Sequence, residues 1–237
     1  MQTRRSEPLH RMFAAVPRRY GLINHVITLG LDKRWRWKAA RECLTAHPHK
    51  VLDLCCGTGD LVLNLARLTE NKIALTGIDY SRPMLEIAAR KATASGMGDI
   101  SFIHGDVASL PFSDGYFDCV GVSFAFHNLT YKNPLAKRYL AEILRVLASG
   151  GRFVIVETSQ PKSRLIRKLF HLRLHWFVSR VGQWLSGNKG AYHYLAESAV
   201  HFFTAKEAEA MLLAAGFRQA SSLMLLFGAV AIYIAVK

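Results

Sequence analysis

The sequence predicts an α/β fold: a doubly wound, mostly parallel sheet of seven strands whose C-terminal part is an antiparallel hairpin. Three observations predict it. Short β-like apolar runs alternate with segments of helical period through the middle of the chain. A glycine turn, Gly57-Thr58-Gly59, sits where the first run meets the first helical segment. The run over 152–157 is almost wholly apolar, as suits a strand covered on both faces.

The elements follow in order. Residues 51–54 form the first strand, and a helical pattern covers 60–68. Residues 73–79 form the second strand. The next helix covers 81–94, where Ser81 suits the N-cap and Pro83 the first turn. Residues 100–103 and 117–123 give the third and fourth strands. Helical spacing over 135–147 stops at Ser149-Gly150-Gly151, and 152–157 is the fifth strand. Such alternation implies a Rossmann-like sheet with helices on both faces. After the fifth strand the pattern breaks. An aromatic- and arginine-rich insert runs from Pro161 to about Phe203. A helix over 205–215 is closed by Gly216 at C′. Two β-like runs, 218–226 and 229–236, flank Gly228 as a hairpin. The expected organisation is a basic helical cap over 1–50, then a main domain over 51–237 that carries a basic amphipathic insert at about 160–203.

A chain of 237 residues fits one large α/β domain with appended pieces. Hydrophobic residues at 51% and charged residues at 20% exclude a disordered chain. The four cysteines, Cys43, Cys55, Cys56 and Cys119, are too few and too adjacent for a secreted disulfide framework. Residues 1–10 lack the apolar core of a signal peptide. The longest apolar stretch, 14 residues over 223–236, falls short of a membrane span. A cytoplasmic location is therefore expected. The net charge is +14, unevenly spread. Residues 1–50 carry eleven basic and three acidic side chains, and residues 158–196 carry seven basic and none acidic. The segment between them is nearly neutral. Two concentrated basic patches point to nucleic acid or an anionic membrane surface, with solvated basic faces as the plain alternative.

The most informative motif is VLDLCCGTGD over 51–60. It lies where a parallel sheet places ligands, at the carboxyl end of a strand. A dinucleotide turn would have a third glycine, but Val62 stands there. Asp60 begins the helix and Asp53 lies near the strand end. Two carboxylates framing the turn repel a pyrophosphate and suit a cationic ligand. S-adenosylmethionine carries a sulfonium and an amino group and no phosphate. Asp79 ends the second strand 20 residues after Gly59, the position for a carboxylate that accepts from ribose hydroxyls. Gly105-Asp106-Val107 after the third strand supplies a carboxylate and a backbone N–H for an adenine edge. The ordered set Asp53, Gly57, Gly59, Asp79 and Asp106 points to a methyl-donor site, and Tyr80 joins it as the neighbour of Asp79.

VLDLCCGTGD, GIDYS, GDVASLPF, FDCV and LASGGRFVIVE together resemble the ordered motifs of class I S-adenosylmethionine-dependent methyltransferases. More narrowly, the chain resembles the ubiquinone/menaquinone biosynthesis C-methyltransferase family. That likeness rests on Arg19-Tyr20 with Asn24, Gly30 and Trp35, on 124–130, on Glu157-Thr158-Ser159-Gln160-Pro161, on YHYLAES over 192–198, and on Gly228-Ala229-Val230-Ala231. Cys55-Cys56 and the ETSQP run are closer to the menaquinone branch, which implies demethylmenaquinol as acceptor. The resemblance places donor contacts on Thr58, Asp79, Asp106, Val107 and Ser123. Two positions depart from the family's pattern. Gly21 stands where an Asp usually follows the Tyr, and the family's Phe-Gly-Leu-Arg-Asn reads Phe124-Ala125-Phe126-His127-Asn128 here.

The family methylates a ring carbon of a prenylated quinol. A phenol carbon becomes nucleophilic when a ring hydroxyl loses its proton, so the site needs a base or a water and close placement of the reactants. His127, after the fourth strand, is the candidate base or the group that orients a quinol oxygen, with Asn128 as its hydrogen-bonding partner; a histidine titrates near neutral pH. The alternative is that His127 merely caps the loop. Tyr20, Tyr192, His193 and Tyr194 are candidates for the acceptor pocket or for ordinary core. No metal site is expected, since His171 and His175 have the helical i, i+4 spacing but no third ligand.

Arg164, Lys168, His171 and His175 fall on one helical stripe beside Leu165, Leu169, Leu172 and Trp176. A basic amphipathic helix with Trp176, Phe177 and Trp184 suits the surface of an anionic membrane or a lid over the pocket. The partners expected are a prenylated quinol and that membrane surface, without nucleic acid, and with a homodimer left open. A methyltransferase for another lipid or small molecule, or for RNA, is the competing assignment.

Overall fold

Parallel pairing of short apolar strands organises the chain. The computed structural model describes residues 28, 30–70, 72–173 and 201–237. Its elements are α1 (Leu31–Leu44), β1 (Lys50–Leu54), α2 (Asp60–Thr69), β2 (Ala74–Asp79), α3 (Arg82–Ala94), β3 (Ser101–His104), β4 (Phe117–Ser123), α4 (Phe126–Thr130), α5 (Ala136–Val146), β5 (Leu147–Thr158), α6 (Arg164–Arg173), α7 (Ala205–Ala214), β6 (Gln219–Leu225) and β7 (Val230–Val236). The seven strands form one sheet in the order β3-β2-β1-β4-β5-β7-β6. Pairing is parallel from β3 to β5, and β7 runs antiparallel to both β5 and β6. The expected doubly wound sheet is therefore present, and the second strand of the hairpin, not the first, joins it to β5.

Alternation along the strands builds two cores. Leu52, Ile155 and Tyr233 face α5 and α7 through Ile143 and Leu212. Val51, Val154, Val156 and Ile232 face α1 and α2 through Trp35, Ala39, Leu61 and Leu65. Period-two alternation thus loads both faces, and burial of each large aliphatic side chain contributes roughly 1.5–3 kcal/mol. α1, within the segment expected as a cap, packs directly into the second core.

Three local features depart from expectation. Ser81 precedes α3 in extended backbone, but its side chain makes no capping bond. The short helix α4 follows β4 directly and has too few residues to show a period. Leu147 already pairs with Phe117, and the register shifts before Cys119 pairs with Arg152. Ser149-Gly150-Gly151 therefore lies within an irregular start of β5, not between a helix and a strand. Gly151 is required there by close approach. A Cβ would lie 2.8 Å from the Ala148 carbonyl oxygen and 3.1 Å from that of Asp118. The helix α7 begins as a capping box, with Thr204 and Glu207 bonded reciprocally.

Because the two nearest atoms facing Gly151 belong to backbone, Gly151→Ala is expected to destabilise the chain by roughly 2–3 kcal/mol. The midpoint of denaturant unfolding, followed by circular dichroism, checks this.

Candidate active site

The site is assembled from the carboxyl ends of adjacent parallel strands. β1 leaves the sheet through Cys55, Gly57 and Gly59, all with positive φ (52°, 55° and 80°). At Gly59 a Cβ would lie 3.0 Å from the Cβ of Ala88, so glycine lets α3 pack against the turn. The turn is tied to β2: the Cys56 N–H donates to the Ile78 carbonyl at 3.0 Å, and the Gly57 N–H donates to Asp79 Oδ2 at 2.8 Å. Asp79 Oδ1 accepts from the Ser81 N–H at 2.8 Å. The end of β3 joins through the Gly105 N–H, which donates to the Asp79 carbonyl at 3.1 Å. Asp106 Oδ1 accepts from the Ala108 N–H at 2.9 Å and orders the turn that carries buried Val107. Tyr80 is exposed, with its ring 5.8 Å from that of His104. Ser123 ends β4 one residue before Phe124, whose φ is 54°. Gly57, Thr58, Gly59, Asp79, Tyr80, Asp106, Val107 and Ser123 therefore stand along one edge of the sheet, on both sides of the point where strand order reverses.

The structure corrects the charge pattern expected at the turn. Asp53 is fully buried; its Oδ2 accepts from the Val62 N–H at 3.0 Å, and among the described residues its Oδ1 has no partner. Burial pushes its carboxyl up to about 8, so it is mostly protonated at neutral pH. Asp60 forms an ion pair with Lys91 Nζ at 2.8 Å. The same ammonium donates to the Thr58 carbonyl at 3.2 Å and to its hydroxyl at 3.1 Å. Two free carboxylates therefore do not frame the turn. Asp79 and Asp106 are the acids that bound it beyond Asp60, and burial raises Asp79 against the pull of the Ser81 and Gly57 N–H groups. The exclusion of a pyrophosphate survives on different grounds. The Val62 N–H, in the first turn of α2, is already taken by Asp53. A donor without phosphate fits this arrangement. Lys91 lies 31 residues from Asp60 with no local signal for the pairing, and sequence reasoning missed it.

Across the same edge, α4 carries His127 and Asn128. The His127 ring is buried against Tyr131, at 4.6 Å between centroids and nearly parallel, and against Phe202 at 4.3 Å. Among the described residues, neither ring nitrogen has a hydrogen-bond partner. Burial, helped by His201, pushes the imidazole down to about 4, so it does not titrate near neutral pH as the sequence suggested. The His127 backbone N–H donates to Glu157 Oε2 at 3.2 Å, and Glu157 Oε1 accepts from the Thr158 N–H at 2.9 Å. Glu157 is fully buried, and desolvation pushes it up to about 7. It was overlooked as a site group, although a lone acid ending an otherwise apolar strand was its signal. The Asn128 carbonyl accepts from Asn133 Nδ2 at 3.0 Å. Tyr20, Tyr192, His193, Tyr194 and His175 lie outside the described residues. His171 Nε2 lies 2.9 Å from Gln160 Oε1.

The fold and the edge-on donor site define a class I S-adenosylmethionine-dependent methyltransferase. A crystal structure of an S-adenosylmethionine-dependent methyltransferase from Aquifex aeolicus superimposes with a TM-score of 0.56 over 79% of this chain and 81% of that one, at 18% identity. The chain belongs to the ubiE/COQ5 methyltransferase family, whose model matches residues 1–237. It is 38% identical over 223 residues to a demethylmenaquinone methyltransferase of Thermus thermophilus, covering 94% of this chain and 98% of that one. It is 33% identical over 236 residues to a ubiquinone/menaquinone biosynthesis C-methyltransferase of Geobacter sulfurreducens, covering 99% and 90%. The chain is thus an enzyme that uses S-adenosylmethionine.

Two outcomes are expected. Asp79→Ala removes the acceptor that ties the Gly57 turn to β2, so calorimetric affinity for S-adenosylhomocysteine falls by about 10–100-fold. For Asp53 the folded-state pKa exceeds the unfolded value of 3.8, so the folded protein binds the extra proton between about pH 4 and 8 and loses stability as pH rises through that window. Asp53→Asn removes this slope: the melting temperature of the native chain minus that of the variant should shrink steadily from pH 5 to pH 8.

Proposed function

We propose that the chain methylates a ring carbon of a prenylated quinol, with demethylmenaquinol as acceptor and menaquinol as product, at the cytoplasmic face of a membrane. The observation that carries this is the 38% identity over 94% of the chain with a relative named for demethylmenaquinone. The acceptor side supports it through a buried imidazole, His127, whose two nitrogens lack partners among the described residues, inside an aromatic surround. A buried polar group left in this state costs about 1–3 kcal/mol, which a quinol oxygen relieves.

S-adenosylmethionine, when bound, supplies a methyl group on positively charged sulfur. Asp79 accepts from ribose hydroxyls, Asp106 and the Val107 N–H meet the adenine edge, and the turn through Gly57, Thr58 and Gly59 lets the backbone approach closely, with Ser123 on the far side of the cleft. His127 acts as a neutral imidazole. At a value of about 4 it is too weak a base for a phenol, so it orients the quinol oxygen by hydrogen bonding, with Asn128 beside it, and water takes the proton. The opposing reading, transfer to another phenolic lipid, is favoured by His127 alone, since the family pattern has arginine there.

The exposed leucines of α6, Leu165, Leu169 and Leu172, support peripheral attachment to a membrane, beside Arg164 and Lys168 on the neighbouring stripe. Among the described residues, no helix is long and apolar enough to cross one.

Incubation with labelled donor and demethylmenaquinol should yield labelled menaquinol, and absence of label in the quinone fraction would overturn the assignment. His127→Ala should lower kcat by about 10²-fold, with His127→Gln retaining part of the rate. Because His127 is neutral above pH 4, kcat should show no inflection from it near pH 6.5. An inflection there that disappears in His127→Gln would return it to the role of base.

A further inference from the structure

The register of the sheet fixes where the β6–β7 turn stands. Thr158, at the end of β5, pairs with Val230 at the start of β7, and Leu225, at the end of β6, pairs with the same Val230. The turn over 226–229 therefore emerges at the edge that carries the donor site and His127. It is also fastened to the chain leading into α6. The Ser159 N–H donates to the Ala229 carbonyl at 2.9 Å. Gly228 approaches so closely that a Cβ would lie 3.2 Å from Pro161 Cα and 3.8 Å from the Lys162 nitrogen. Helix α6 begins at Arg164, two residues further on.

The tip of the turn is apolar and strained. Phe227 is 81% exposed and Leu226 is 38% exposed. Both have positive φ, 53° and 45°, a region bulky side chains rarely adopt. Glycine or asparagine would hold the same backbone more easily and without exposing a ring. Strain retained to present an apolar side chain to solvent points to a ligand for that side chain. The surroundings define its chemistry. Lys162, Arg164 and Lys168 are exposed, Leu165, Leu169 and Leu172 are exposed on α6, and residues 158–196 contain no acidic side chain. Exposed aromatic and aliphatic groups beside exposed cations match an anionic phospholipid surface.

We propose that the β6–β7 turn is a membrane wedge: Phe227 and Leu226 insert into an anionic bilayer beside basic α6, so that the donor edge of the sheet faces the lipid. The inference deepens the proposed function, resting on it for the reason a bilayer is met at that edge, since a prenylated quinol resides there. The test uses the full chain and vesicles of phosphatidylcholine with phosphatidylglycerol in a sedimentation assay. The native chain should co-sediment at low salt and less so at high salt. Phe227→Ser and Phe227→Gly should each weaken partitioning about tenfold or more. Phe227→Gly should do so with an unchanged or higher melting temperature, because it relieves the positive φ, which separates loss of insertion from loss of folding. Partitioning of both variants equal to that of the native chain overturns the wedge, even if Arg164→Glu with Lys168→Glu abolishes binding. Failure of the native chain to co-sediment at low salt overturns it as well. Turnover of a short-chain demethylquinol in detergent reports separately on the acceptor, so failure there is distinguishable from failure of the wedge.

Discussion

The hydrogen bond from the Gly57 N–H to Asp79 Oδ2 is where the fold becomes a site. Parallel strands end on one edge but do not join there, because each returns through a helix on a face of the sheet. Something must hold the loops leaving that edge in fixed relation. Asp79 does so for β1 and β2, and its own carbonyl holds the loop after β3. The positive φ values of the turn allow this bond: a chain continuing in extended form past Leu54 would carry the Gly57 N–H away from β2.

The same device recurs with two other acids, and burial changes what they are. Asp53 holds the first turn of α2 through the Val62 N–H, and Glu157 holds α4 through the His127 N–H. Both sit deep in the sheet, where the charged form is penalised, and both are pushed up towards or past neutrality. They act as hydrogen-bonding clips more than as charges. Asp60, nearer the solvent, is held instead by Lys91, which in one ammonium joins α3 to the turn. Little unbalanced charge is left near the donor except at Asp79 and Asp106. This suits a ligand that has one positive centre and several neutral hydroxyl and amine groups.

Apolar runs and their alternation made the strands legible, because period-two burial on two covered faces leaves a pattern in the residues themselves. The positions after β1, β2 and β3 were legible as neighbours on one edge of the sheet, because a glycine turn and acids at successive strand ends follow the strand pattern. The protonation of Asp53 was not, since it depends on helices packed from elsewhere in the chain. Nor was the pairing of Lys91 with Asp60, across 31 residues and two helices. His127 was found by its place after β4, but its neighbours Phe202 and Phe203 arrive from far along the sequence. Their packing is what turns a residue expected to titrate into a neutral one. α4 was missed because a helix of five residues is too short to repeat the period that would reveal it.

Topology also explains why the basic charge is segregated as it is. The nearly neutral middle of the chain forms the sheet up to β5 together with α2 to α5, and a large positive field there would oppose a cationic donor. The seven-cation segment follows β5, whose end lies at the ligand edge, so whatever is inserted between β5 and α7 starts beside the site. Reversal of β7 brings a second connection, the β6–β7 turn, to that same edge. In an all-parallel sheet the connection leaving β6 at that edge would have to cross a face of the sheet to the opposite edge, where β7 would begin. One antiparallel strand is thus sufficient to keep the whole β6–β7 turn at the edge where the connection to α6 begins.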